Sequence, residues 1–119
     1  MPFEQHKEKN YSKDAKSIYD AALQATAKLD GKIISSTPDQ YRFTARFPKV
    51  ILGKTLGERT ELSCAVHADG EGGIAVVDAF PLDVLERKLI FGARPGVTLT
   101  VVTWFIAYLE NALGLPPSQ

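Results

Sequence analysis

The spacing of hydrophobic positions changes twice along the chain, and those changes divide it into elements. Ala15, Ile18, Tyr19, Ala22, Ala25, Thr26 and Leu29 recur at steps of three and four, the signature of one helical stripe. Lys13, Lys16, Asp20, Gln24 and Lys28 fall largely on the other side. Ser12 reads as the N-cap, Asp14 as a first-turn acid favoured by the helix dipole, and Gly31 as the terminator. From Lys32 the period becomes two. Residues 32–36 predict a short strand, and Thr37-Pro38-Asp39-Gln40 has turn chemistry. Over 41–47, Tyr41, Phe43, Ala45 and Phe47 share one strand face while Arg42, Thr44 and Arg46 share the other. Residues 49–58 leave an edge strand, a bulged connection and a loop all open. Alternation returns over 59–68, a glycine-rich turn follows at 69–73, and 74–80 is rich in Val and Ile. Pro81 ends that strand, and 82–91 has room for a short helical turn.

A second helix is expected over about 97–113, with Thr98 as its cap and Gly114 and Pro116 as stop signals. Val101, Phe105, Tyr108, Leu109, Ala112 and Leu113 form its core stripe. Leu99, Trp104 and Ile106 extend the apolar surface beyond it, so this helix is buried on more than one side or carries a partner. The pattern predicts a two-layer α+β fold: an N-terminal helix, an antiparallel sheet of three to five strands, and a C-terminal apolar helix packed on the same sheet face. Residues 1–11 are polar, mixed in charge and without period, and read as a mobile tail before a single domain over 12–119.

Composition narrows the function classes. The 119 residues are 45% hydrophobic and 24% charged, which suits a globular chain and not a disordered one. Fourteen Lys and Arg balance fourteen Asp and Glu. Without a basic excess there is little to neutralise phosphates, so no nucleic-acid partner is expected. Zero net charge also gives little electrostatic protection against self-association. One cysteine, Cys64, allows no intramolecular disulfide and suits a reducing compartment. The N-terminal charges precede no apolar run, and the uncharged stretch 95–109 falls short of the ~20 residues that span a bilayer. A cytoplasmic protein with no membrane partner is the expectation.

Candidate chemistry is sparse. Cys64 and His67 spell C-x-x-H, but on a strand residues three apart point to opposite faces. A zinc site needs three or four ligands, so neither a metal site nor a cofactor is expected. Glu61, Ser63, His67 and Asp69 share a strand face, yet side chains two apart on one strand splay side by side and do not form a relay. Asp78 interrupts an apolar segment; it either faces water or is buried against a partner such as Arg42 or Arg46. The loop before the second helix offers glycines, Arg94 and free helix amides, so Gly92, Arg94, Gly96 and Thr98 are its candidate anion ligands. It lacks the Lys-[Ser/Thr] of a P-loop. Trp104, Ile106 and Tyr108 are the candidate interface. These features support first a non-enzymatic interaction module that self-associates, as a homo-oligomer or with a protein partner. Second comes a carrier or sensor of a small phosphate or carboxylate ligand at 92–98. An enzyme with an acid/base site around Asp78 or His67 comes third.

Overall fold

In the computed structural model, which describes residues 4–89 and 96–115, the chain opens with strand β1 (Gln5–Tyr11) and helix α1 (Ala15–Lys28). Strands β2 (Lys32–Thr37) and β3 (Arg42–Phe47) follow, joined by a 3₁₀ turn at Pro38–Gln40. Two short strands, β4 (Val50–Ile51) and β5 (Lys54–Thr55), make a small hairpin, and β6 (Arg59–Asp69), β7 (Gly72–Leu82) and α2 (Val97–Ala112) complete the order. Five strands form one antiparallel sheet in the order β1-β7-β6-β3-β2. Both helices contact the sheet and each other. This is the two-layer α+β architecture that the hydrophobic pattern predicts.

The alternation decides which sheet face is covered. Phe43, Ala45, Phe47, Leu62, Cys64, Val66, Ala75, Val77 and Ala79 are buried in one core cluster with the α1 stripe. That stripe is the predicted one: Ala15, Ile18, Tyr19, Ala22, Ala25, Thr26 and Leu29 are all buried. Rings of Tyr41, Tyr19, Phe43 and Phe105 stand in series at centroid spacings of 5.5, 5.9 and 6.4 Å, tying α1, β3 and α2 together. Behind α1, Gly31 lets Phe47 pack against the backbone; a Cβ there would sit 2.6 Å from Phe47 Cε1.

Helix α2 buries pairs of neighbours, not a single stripe. Val101 with Val102, Phe105 with Ile106, and Leu109 with Glu110 are all buried. A helix wedged between a sheet and a second helix must cover two directions, so its dry surface is about two residues wide. Ile106 therefore belongs to the core of one chain (8% exposed) and is corrected from the expected interface. Tyr108 and Leu113 are only partly buried against the core. Asp14, not Ser12, caps α1, its carboxylate accepting from the Ser17 amide and hydroxyl. Gly96, not Thr98, is the N-cap of α2 at φ 82°, and Thr98 is buried in the first turn. The helical turn expected after Pro81 is instead a closed loop at 83–87, where the Asp83 amide donates to the Arg87 carbonyl. Over 49–58 the chain forms the β4–β5 hairpin.

The larger correction concerns residues 1–11. Gln5–Tyr11 is an edge strand, paired with β7 over its whole length from Gln5↔Ala79 to Tyr11↔Gly73. Nearly all its side chains are polar, so no alternation of apolar and polar residues marks it. Main-chain hydrogen bonds hold it, and Tyr11 fastens its far end: the Tyr11 hydroxyl donates to Glu110 Oε2 at 2.8 Å, with Lys9 Nζ 3.8 Å from the same oxygen. Burial and the Glu110 carboxylate both push the Tyr11 pKa upward, burial more strongly. Tyr11→Phe is expected to strip a buried carboxylate of its neutral donor and cost about 1–3 kcal/mol, read from urea unfolding midpoints. A variant as stable as the parent would remove Tyr11–Glu110 as an anchor of β1.

Candidate functional site

With one sheet face under the helices, the other collects the polar half of each alternation. Register then lines these residues up across strands. Ser35 pairs with Thr44, Thr44 with Ser63, Ser63 with Asp78, and Asp78 with His6. This row crosses all five strands, roughly 19 Å at ~4.8 Å per strand. The next row along the strands runs Thr37, Arg42, Ala65, Val76, Glu8. A register shift between Ile33 and Ser35 sets β2 into this alignment.

A groove of about 290 Å³ lies over these two rows, lined among others by Ser35, Thr37, Arg42, Thr44, Ser63 and Asp78. Thr44 Oγ1 and Ser63 Oγ share a hydrogen bond of 3.1 Å at its floor. The Arg42 guanidinium has no ion pair or hydrogen bond among the described residues. Arg46, two pleat repeats along the same strand, is by contrast fully engaged with Glu61 (3.1 Å) and Glu86. The groove therefore offers one uncommitted cation, a ladder of hydroxyls and a carboxylate.

At the β1 end, His6 lies between two acids. Its Nδ1 is 2.6 Å from Asp78 Oδ1 and its Nε2 is 2.9 Å from Glu8 Oε2. With a carboxylate on each nitrogen both must donate, which selects the imidazolium. The hydrogen bond to Asp78, followed by that to Glu8, raises the His6 pKa above its ordinary 6.5. All three side chains are exposed, so their mutual attraction is that of a surface cluster and modest in energy.

The residues singled out from sequence are scattered by the fold. Gly92 and Arg94 lie outside the described residues. Gly96 and Thr98 sit at the start of α2, Thr98 buried. Asp78 faces water, and its partner is His6 from β1, not Arg42 or Arg46. His67 is exposed on the open face, while Cys64 is buried on the other, its thiol pushed up to about 12 by burial. Ser63 meets Thr44, and Glu61 meets Arg46, so the single-strand group of Glu61, Ser63, His67 and Asp69 does not assemble. Trp104 is partly buried, with Lys54 Nζ 5.9 Å from its ring centroid. Sequence reasoning missed His6, Glu8 and the hydroxyls of Ser35 and Thr37. The one signal that marked the site was the polar half of the 41–47 alternation.

No helix among the described residues is long and apolar enough to cross a membrane. No protein-family model matches the chain, and no curated protein matches it in sequence. Solved structures do match in fold. Ara h 8.0201 superposes with a TM-score of 0.63 at 9% identity, over 93% of this chain and 97% of its own. Protein CV1439 from Chromobacterium violaceum reaches 0.61 at 12% identity, over 99% and 100%. A norcoclaurine synthase point mutant from Thalictrum flavum, in complex with a transition-state analogue, reaches 0.50 at 10% identity, over 93% and 94%. The neighbours are Bet v1-like α+β folds, and at these identities the likeness is one of fold.

Because the folded state binds the His6 proton more tightly than the unfolded chain, this cluster's contribution is complete below about pH 6.5 and is lost as pH rises through the higher folded value. An NMR titration of His6 is expected to show a midpoint above 6.5, and Asp78→Asn is expected to lower it. A midpoint unaffected by Asp78→Asn would dissolve the pairing.

Proposed function

We propose that the protein is a small-ligand-binding domain whose ligand is a small anion held in the open-face groove at Arg42. The observation that carries this reading is the uncommitted guanidinium beside a hydroxyl-lined recess. An exposed arginine on a sheet is ordinary; one that shares a groove with the hydroxyls of Ser35, Thr37, Thr44 and Ser63 and has no acid in contact is a ready anion acceptor. The volume of about 290 Å³ is close to the low end for ligand pockets, which fits a metabolite-sized molecule. The fold supports the same class of function: one neighbour holds a bound analogue. The anion site expected at 92–98 lies largely outside the described residues, and the present reading rests on the groove at Arg42 alone.

The order of groups favours binding over catalysis. Across the row the sequence is Ser63, Asp78, His6, which puts the carboxylate between hydroxyl and imidazole. A nucleophile relay needs the imidazole in the middle, within hydrogen-bond reach of the hydroxyl. Here His6 spends both nitrogens on acids.

Self-association is a second reading, and a separate observation supports it. Ile33, Ile34, Val50, Leu52, Val84, Leu85 and Leu99 stay exposed. By connectivity all seven lie towards the end of the sheet where β2 starts and β3 and β7 finish. Val84 and Leu85 are 83% and 66% exposed on a turn that is firmly built. Asp83 Oδ1 accepts from the Leu85 and Arg87 amides at 2.8 and 2.9 Å, and Arg59 donates to the Asp83 and Val84 carbonyls. A preorganised apolar tip loses little entropy on docking. This end, and not Ile106, is where a homo-oligomer would form.

Two measurements separate the readings. Arg42→Ala is expected to abolish binding of small carboxylates and phosphates while changing stability by no more than about 0.5 kcal/mol, as for an unpartnered surface residue. Binding that survives the substitution would place the anion site elsewhere. Val84→Ser with Leu85→Ser is expected to convert any dimer seen by sedimentation equilibrium to monomer; a monomeric parent at millimolar concentration would end the second reading.

A further inference from the structure

We infer that the groove ligand is a polyhydroxylated carboxylate, a sugar acid, with its carboxylate on Arg42 and its hydroxyl chain laid along the Thr44–Ser63–Asp78 row. The inference rests on the anion-binding reading above and adds the chemistry of the remainder of the ligand. Three features of the groove select it.

The first is the spacing. Arg42 pairs with Ala65, Ala65 with Val76, and Asp78 stands two residues further along β7. Two strand spacings across and two residues along put the Arg42 and Asp78 backbones roughly 12 Å apart. With both side chains standing off the sheet, a hydrogen bond of about 2.8 Å at each end leaves roughly 6 Å of that separation, the length of an extended chain of about six carbons. A lone small anion would engage Arg42 and leave the rest of the groove to water.

The second is the donor and acceptor supply. Thr44 and Ser63 hydroxyls bond each other at 3.1 Å, which uses one of their two protons; both keep lone pairs, and the other proton stays rotatable for a hydroxyl laid over them. Asp78 uses Oδ1 for His6, and its Oδ2 has no partner among the described residues. A carboxylate oxygen only accepts, so the ligand must donate to it. An ammonium is not required, because Asp78 already has the His6 cation beside it. A neutral hydroxyl is the matching donor.

The third is charge. Arg42 and His6 supply two positive charges to the groove and its rim; Asp78 and Glu8 supply two negative ones. A monoanionic carboxylate adds one charge opposite Arg42. A phosphate monoester brings about −1.5 to −2, more than the single Arg42 guanidinium balances. The carboxylate is therefore favoured over the phosphate on the same polyol.

The test uses the full-length chain in ¹H–¹⁵N NMR titrations with gluconate, glucose 6-phosphate, glucose and acetate. Gluconate is expected to shift the amides of Arg42, Thr44, Ser63 and Asp78 and to bind at least ten-fold tighter than each of the other three. Asp78→Ala, with its fold checked by thermal melting, is expected to weaken gluconate about ten-fold and leave acetate unchanged. Acetate binding at these amides as tightly as gluconate would overturn the sugar-acid assignment and leave the anion site standing. Glucose 6-phosphate binding tighter than gluconate would overturn the carboxylate. Gluconate affinity unaltered by Asp78→Ala would overturn the assigned orientation along the row. Should none of the four compounds move these amides, the sugar acid and the anion-binding groove fall together.

Discussion

Burial of Phe43, Phe47, Leu62, Val66, Val77 and their neighbours beneath the two helices is the constraint on which the rest of the molecule depends. Side chains alternate along a strand, so slipping β3, β6 or β7 by one residue would turn its dry face outward and bring Arg42, Thr44, Ser63 or Asp78 into the core. An unpaired buried charge costs several kcal/mol even after relaxation, while each aliphatic or aromatic side chain brought out forfeits roughly 1.5–3 kcal/mol. No single hydrogen bond on the open face competes with that. The hydroxyl–carboxylate–imidazole row is thus a by-product of core packing: once the apolar set is fixed inside, Ser35, Thr44, Ser63, Asp78 and His6 have one place to stand.

Where the core imposes a pattern, the sequence is readable, and where it does not, it is not. The α1 stripe, the alternation of β3, β6 and β7, and the antiparallel sheet were legible because each rests on apolar spacing. Strand β1 was not, since an edge strand held by its main chain leaves almost no apolar mark beyond Tyr11. The 83–87 turn was misread because its shape comes from Asp83 capping two amides and from Arg59 reaching across from β6. The site was opaque for a further reason. Asp78 and His6 are 72 residues apart in the chain, and only strand register makes them neighbours. Period reveals which face a residue takes but not which residue on another strand it will meet.

Helix α2 shows the same limit in another form. Its excess of apolar residues is real, but it reflects a helix covered by both the sheet and α1, and Ile106 is spent on that packing. What sequence counting treats as surplus is set by how many neighbours an element has. Glu110 makes the converse point: a charged residue on the dry side of a helix looks like an error of pattern until β1 supplies Tyr11 and Lys9 to it. The carboxylate then serves as the fastening between the first strand and the last helix, which also steadies the strand that carries His6 and Glu8 to the groove.

These links bear on what the open face can do chemically. His6 stands between two acids on this face, Asp78 at Nδ1 and Glu8 at Nε2. Lifting its proton would leave the two carboxylates as like charges on adjacent strands, which is why these hydrogen bonds raise the His6 pKa above its ordinary value. The hydrogen bond to His6 occupies Asp78 Oδ1, and Oδ2 has no partner among the described residues. Arg42 and Asp78 thus stand as opposite charges on one sheet face with the Thr44 and Ser63 hydroxyls between them, the arrangement on which the proposed binding of an anionic, hydroxylated ligand rests.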